Sequence, residues 1–313
     1  MVGKVVALAG GVGGAKLVLG LSRLLPGDQL SVVINTGDDE EFHGLHVSPD
    51  LDTVMYTLAG LSNQETGWGL AGDTFQALAM LGRYGAETWF NLGDRDLATH
   101  LRRTQLLRQG ATLTEVTGQL SRYLGITHEL IPMSDDPVGT VLTTPNGDLP
   151  MQQYFVRERS QPPVSAVRYV GADTARPSPR FLEVLAEADL VVFCPSNPRL
   201  SLGPILALPG VRKALAAERL RGQRIAVSPL VGDAAFRGPA AKIMAELGEE
   251  VSCVGVARQY RGLCDTFLID PQDARFAPAI AQLGLTPVTT KIMMNSEADK
   301  VALARQILDI GGG

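Results

Sequence analysis

Cysteine is scarce in this chain: Cys194, Cys253 and Cys264 are the only three among 313 residues. They are scattered and lack metal-ligand spacing, which excludes a disulfide scaffold and a redox pair and fits a reduced, cytoplasmic compartment. Long apolar runs are missing as well. Nothing approaches membrane-spanning length, and the N-terminal apolar run is too short and too glycine-broken for a signal peptide. There is no basic excess, since 28 Lys and Arg stand against 33 Asp and Glu, for a net charge of −5. General binding to nucleic acid or to an acidic membrane is therefore not expected. The four histidines, His43, His46, His100 and His128, form no zinc-like array, and no Gly-x-Ser-x-Gly elbow occurs. Aromatics make up only 5% of the residues. Trp68 and Trp89 are read as core residues, with stacking on a planar ring as the alternative.

What is present is apolar and α/β-patterned. Hydrophobic residues make up 45% of the chain, enough for a sizeable core in one large α/β domain or two smaller ones. The N-terminus runs from an apolar strand into Gly10-Gly11-Val12-Gly13-Gly14-Ala15-Lys16-Leu17. Strand, glycine turn and helix start form an arrangement that admits an anion close to backbone N–H groups, so a phosphate-bearing ligand is expected here. A turn needed only for packing is the competing reading. The motif fits neither the Walker loop, because Ala15 precedes Lys16 and Leu17 follows it, nor the dinucleotide fingerprint, because Lys16 stands where the last glycine belongs.

A crossover helix over Ala15–Leu25 and a strand over Leu30–Asn35 complete a βαβ unit. Helices are predicted over Leu51–Leu61, Thr74–Gly82, Leu97–Arg108 and Glu115–Leu124. Short strands are predicted over His128–Pro132, Gly139–Thr144 and Leu149–Val156, with Asn146-Gly147 as a turn. This stretch, about 97–180, reads as an inserted helical and short-strand subdomain. Parallel character returns with a strand over Asp189–Cys194, a helix over Val211–Arg221, a strand over Arg224–Ser228, a helix over Pro239–Leu247, strands over Val251–Ala257 and Thr266–Ile269, and a closing helix over Glu297–Ile310. The fold class is α/β: a Rossmann-like, doubly wound, mostly parallel sheet. Ligands of such sheets bind beyond the carboxyl ends of the strands, so the loops after Ala9, Asn35, Cys194 and Ser228 should share one crevice.

Ser196, Asn197, Ser201 and Gly203, after the Asp189–Cys194 strand, suit phosphate or guanine-type polar contacts as well as an ordinary capping loop. The acidic groups Asp38-Asp39, Asp50-Leu51-Asp52, Asp73, Asp94-Arg95-Asp96 and Asp135-Asp136 read singly as solvated surface acids, and Asp50 also as a helix cap behind Pro49; beside a phosphate they would repel it, with like charges at ~4 Å costing about 4 kcal/mol at an effective dielectric near 20. A divalent cation reverses that sign, which favours magnesium held by one or two carboxylates plus phosphates.

Taken in order, the glycine loop, Asn35-Thr36-Gly37-Asp38-Asp39, Ser48-Pro49-Asp50-Leu51-Asp52-Thr53-Val54-Met55-Tyr56, Leu92-Gly93-Asp94-Arg95-Asp96-Leu97-Ala98-Thr99-His100, Pro132-Met133-Ser134-Asp135-Asp136-Pro137-Val138, Pro195-Ser196-Asn197-Pro198 and Ser201-Leu202-Gly203-Pro204-Ile205 resemble the 2-phospho-L-lactate transferase (CofD) family of coenzyme F-420 biosynthesis over nearly the whole chain. The resemblance implies a magnesium-dependent homodimeric enzyme. Its reaction moves a phospholactyl or enolpyruvyl-phosphate unit from a guanosine diphosphate-linked donor to the ribityl hydroxyl of the deazaflavin Fo, and GMP leaves. It implies that Gly10, Gly11, Gly13, Gly14, Lys16, Asn35, Thr36, Ser196, Asn197, Ser201 and Gly203 hold the nucleotide and phosphates. Asp50 and Asp52 become the catalytic pair, with Asp50, Asp52, Asp94 and Asp96 as metal candidates. Asp52, Asn91, Asp94, Ser134 and Asp135 fall to Fo, although Asn91 stands where many members carry a basic residue. On this reading Asp52→Asn lowers turnover in a folded protein. A related family, the YvcK-type gluconeogenesis factors, shares the fold and binds sugar nucleotides. It supplies the rival reading of a non-catalytic regulator, while the acidic motifs favour the transferase. A nicotinamide-dependent oxidoreductase is the second rival, poorly matched at the cofactor loop.

Overall fold

The computed structural model describes residues 3–216, 222–232, 234–235 and 239–312. In chain order the elements are β1 (Val5–Ala9), α1 (Gly11–Ser22), β2 (Leu30–Ile34), β3 (Glu40–Phe42), β4 (Leu45–Val47), α2 (Pro49–Leu58), α3 (Gln76–Arg83), α4 (Asp96–Arg108), α5 (Leu113–Tyr123), β5 (Glu129–Pro132), β6 (Gly139–Thr144), β7 (Gly147–Pro150), β8 (Ala166–Val170), α6 (Pro179–Glu187) and β9 (Leu190–Phe193). There follow α7 (Leu202–Ala207), α8 (Val211–Leu215), β10 (Gln223–Val227), β11 (Leu230–Val231), β12 (Ala234–Ala235), α9 (Ala240–Glu246), α10 (Cys253–Gln259), β13 (Thr266–Ile269), α11 (Ala277–Gln282), β14 (Thr286–Thr289) and α12 (Glu297–Gly311).

Seven strands form one sheet in the order β14-β13-β10-β9-β1-β2-β5. Every neighbouring pair is parallel. The chain moves outward from β1 through β2 to β5, then returns to the other side of β1 at β9, so the order reverses between β1 and β9. Parallel strands covered by helices on both faces read as continuous apolar runs, and all five residues of β1 are buried. Val6 and Leu8 enter the core on one face of the sheet, while Val5, Ala7 and Ala9 enter the core on the other. The doubly wound expectation is met.

A second, antiparallel sheet, β7-β6-β8, sits over the carboxyl end of the large one. Thr140 N in β6 donates to the Gly37 carbonyl after β2 (2.5 Å), and Tyr169 Oη in β8 donates to the Arg199 carbonyl after β9 (2.7 Å). The small sheet therefore grips loops on both sides of the switch point.

Several expectations are corrected. Helix α1 starts at Gly11, not Ala15, so most of the glycine run is its first turn. The expected insertion does not stand apart, because β5 lies within it and is the edge strand of the large sheet beside β2. The strand expected over Leu149–Val156 ends at Pro150, and a π-helical turn covers Gln153–Arg157. The strand expected over Val251–Ala257 is helical from Cys253, because Ser252 Oγ accepts from Val254 N and Gly255 N and caps α10. Helix α8 ends at Leu215, and 217–221 of the longer expected helix lie outside the described residues. Trp68 is 43% exposed rather than core, while Trp89 is half-buried against Phe42 and Phe90. Among the described residues no helix is long and apolar enough to cross a membrane.

Candidate functional site

The loops after β1, β2 and β9 meet beyond the carboxyl ends of their strands. Ser196 Oγ joins two of them, donating to the Gly10 carbonyl (2.8 Å) and accepting from Gly10 N (3.2 Å). The glycines make this approach possible. A Cβ on Gly10 would lie 2.6 Å from both Asp50 Oδ2 and Ser201 Cβ, one on Gly13 2.3 Å from the Pro195 carbonyl, and one on Gly14 2.7 Å from Ser196 Oγ. Close packing thus accounts for three of the glycines. Gly11 has φ +65° with nothing closer than 3.8 Å, and its requirement is the left-handed backbone.

Asp50, in the first turn of α2, reaches across to the start of α1. Its Oδ1 accepts from Gly11 N (2.6 Å) and its Oδ2 from Asn35 Nδ2 (2.9 Å). Asn35 Nδ2 also donates to Asp38 Oδ1 (3.0 Å), and Gln152 Nε2 donates to Asp38 Oδ2 (3.1 Å). A continuous string of hydrogen bonds therefore runs from α1 through α2 and the β2 loop to the small sheet's neighbour, Gln152. Burial raises the Asp50 carboxyl to about 6, partly offset by the Asn35 and Gly11 bonds. Burial raises Asp38 well above its ordinary range, and the charges of Asp50 and Asp39 add to it. Burial also raises Asp39, whose Oδ2 accepts from Ser48 Oγ (2.7 Å) and lies 3.0 Å from His46 Nε2.

Magnesium fits this donor set. Two buried carboxylates converge on one amide nitrogen; burial first, with neighbouring acidic charge adding to it, raises their proton affinity, and a cation held between them would offset that cost. Asp50 and Asp38 would hold it with phosphate oxygens completing the shell, since among the described residues no group of three or more His, Cys, Asp or Glu is arranged for a metal.

Asp52 is placed differently. Residues two apart on a helix project about 200° from each other, so Asp50 and Asp52 diverge. Asp52 is gripped by both terminal nitrogens of Arg103 on α4, with Nη1 at 3.0 Å from Oδ2. His100 Nδ1 lies 3.7 Å from Asp52 and its Nε2 3.3 Å from Asp96, whose Oδ1 accepts from Tyr56 Oη (2.6 Å). Burial opposes ionisation of Asp96, yet His100, Tyr56 and Arg103 outweigh it and hold the carboxyl below its usual range.

The other expected residues spread over separate tasks. Asp94 caps α3, accepting from Gln76 N (3.0 Å) and Ala77 N (2.9 Å). Asp135 Oδ1 accepts from Thr114 N (2.7 Å) at the start of α5, and Ser134 Oγ donates to the Arg176 carbonyl (2.6 Å). Asn91 is exposed. Asn197 Oδ1 accepts from Arg199 N (2.9 Å) and Leu200 N (3.0 Å) and shapes the turn before α7. Gly203 leaves room for the Tyr169 hydroxyl, which a Cβ there would meet at 1.9 Å. Lys16 Nζ donates to the Met294 carbonyl (3.2 Å), and Thr36 is buried beside Asn35. Ser228, after β10, bonds within its own turn to Leu230. Gly10, Gly11, Gly14, Asn35, Asp50, Ser196 and Ser201 are thus brought together, whereas Asp52, Asp94, Asp96 and Asp135 serve α2, α3, α4 and α5. The sequence reading missed Asp38 as a site residue, although its place at the carboxyl end of β2 was the available signal. Gln152 gave no signal at all.

Residues 5–305 match the family described as 2-phospho-L-lactate transferase CofD. A phosphoenolpyruvate transferase of Streptomyces griseus subsp. griseus is 43% identical over 98% of both chains. A 2-phospho-L-lactate transferase of Methanosarcina mazei is 38% identical over 97% of this chain and 99% of its own. A crystal structure of a UPF0052-family protein from Bacillus halodurans shares the fold, with TM-score 0.62 at 15% identity over 98% of this chain and 99% of that one. The chain belongs to the CofD family of transferases.

Proposed function

We propose that the protein transfers an enolpyruvyl-phosphate unit from a guanosine diphosphate-linked donor to the terminal ribityl hydroxyl of Fo, releasing GMP, in coenzyme F-420 biosynthesis. The observation that carries this reading is the buried Asp50–Asn35–Asp38 string at the switch point, set against the N-terminus of α1. The greater similarity to the Streptomyces relative supports enolpyruvate over lactate as the donor acid.

The hydroxyl oxygen forms the new bond to the phosphorus bearing the acid, the bond from that phosphorus to the GMP oxygen breaks, and the hydroxyl proton is released. Magnesium, when bound, neutralises charge building on the bridging oxygen. Alignment of donor and hydroxyl by the convergent loops supplies the rest. The Arg103 grip on Asp52 leaves that carboxylate committed, so Asp50 and Asp38 are the acidic groups offered to the substrates. The three cysteines are buried and unpaired, which supports a reducing cytoplasm, and the family resemblance supports a homodimer, checked by light scattering.

The test offers the protein, with magnesium and Fo, the guanosine diphosphate-linked enolpyruvyl, lactyl and glyceryl donors in turn, and reads GMP and the Fo adduct by mass spectrometry. The enolpyruvyl donor is expected to give both in equal amounts. Nucleotide binding without GMP release would establish the regulator reading instead.

A further inference from the structure

We infer that Arg103 is a positioning residue for the transfer, holding Asp52 from behind α2 and thereby aiming Asp50 into the crevice. The inference rests on the proposed function only through the role given to Asp50. Two helices meet along a polar seam. On α2, Asp52 and Tyr56 stand four residues apart, and on α4, Asp96, His100 and Arg103 stand at intervals of four and three, so each set shares one face. Arg103 binds Asp52 through both terminal nitrogens, and Tyr56 Oη donates to Asp96. The two attachments lie roughly 6 Å apart along α2, which fixes both its rotation and its axial register.

Asp50 stands on the opposite side of the same turn. Its carboxylate lies about 6 Å from the helix axis, so a 20° rotation of α2 would carry it about 2 Å. That displacement would break the 2.6 Å bond to Gly11 and the 2.9 Å bond to Asn35. A misplacement of about 1 Å at a reacting centre can cost ~100-fold in rate.

The seam is poorly explained by stability alone. Arg103 and His100 are each 1% exposed, and a buried ion pair is often matched by an apolar pair of similar volume. Arg103 Nε is buried without a hydrogen-bond partner, a further cost. What a planar fork provides and an apolar contact lacks is orientation.

Arg103→Lys keeps the charge and removes the fork. In the folded variant, kcat is expected to fall ~100-fold while KM for Fo changes less than about threefold. By calorimetry without Fo, the affinity for GDP in magnesium should weaken about tenfold, and the affinity for GDP in EDTA should be unchanged. Wild-type kcat and wild-type magnesium-dependent GDP affinity in this variant would overturn the inference. Should Arg103→Lys fail to fold, Asp52→Leu combined with Arg103→Met supplies an uncharged seam. The same losses in that folded double variant support positioning, and full recovery of magnesium-dependent GDP affinity overturns it. The calorimetric arm distinguishes the two ideas, since a wild-type protein that makes no GMP refutes the transferase reading while leaving the binding comparison intact.

Discussion

Replacing Asp50 by asparagine makes the acidic crevice measurable as a stability. Its carboxyl is raised from an ordinary 3.8 to about 6, with burial as the largest cause. At ~1.4 kcal/mol per pH unit of displacement, ionising Asp50 costs about 3 kcal/mol more in the folded protein than in the unfolded chain. The sign follows from proton binding. A carboxyl with a raised folded pKa is fully stabilising below 3.8, and that stability drains away as pH rises through 6. Asp50→Asn removes the titration but loses one acceptor, because an amide cannot accept from both Gly11 N and Asn35 Nδ2; this offsets about 1 kcal/mol. The variant should therefore match or trail the wild type at pH 4.5 and exceed it by ~2 kcal/mol at pH 8. For a chain of this length, 1 kcal/mol corresponds to roughly 1.5 °C, so the melting-temperature gap should swing by about 3 °C between the two pH values. Paired thermal melts in matched buffers read that swing, and magnesium should shrink it by supporting the ionised wild type. A gap constant from pH 4.5 to 8 would refute the assignment of a strained, titrating Asp50.

Asp52→Asn leaves the Arg103 guanidinium buried without its countercharge, and a loss of ~3–5 kcal/mol is expected by chemical denaturation; an unchanged midpoint would show that water reaches the pair. Gly13→Ala drives a Cβ to 2.3 Å from the Pro195 carbonyl, so stability should fall by about 1–3 kcal/mol and GDP affinity should fall with it, both read by titration. Unaltered affinity would show slack in the β9 loop. Gln152→Ala removes a donor from buried Asp38 and should cost ~1–3 kcal/mol in urea unfolding, more at pH 8 than at pH 5.

The fold's parallel core was legible because apolar runs such as Val5–Ala9 and Leu190–Phe193 are covered on both faces and bounded by turn residues. The failures have physical causes. Cys253–Ala257 is buried all round, and a short apolar run without alternation does not distinguish strand from helix until its Ser252 cap is seen. β5 joins the large sheet through pairing with residues nearly a hundred positions earlier, which no local pattern encodes. In the site, the glycines and Asn35 were legible as types at strand ends. Reading Asp50 and Asp52 as a pair failed because a two-residue spacing serves one face of a strand but opposite faces of a helix.

Gly20 of α1 lies so close to α12 that a Cβ would meet the Lys300 carbonyl at 2.2 Å. The helix whose first turn borders the crevice thus leans, backbone against backbone, on α12. During synthesis α1 gains that support only after α12, far later in the polypeptide, has emerged, so a nascent chain still lacking α12 has its glycine loop in place by sequence but not by support.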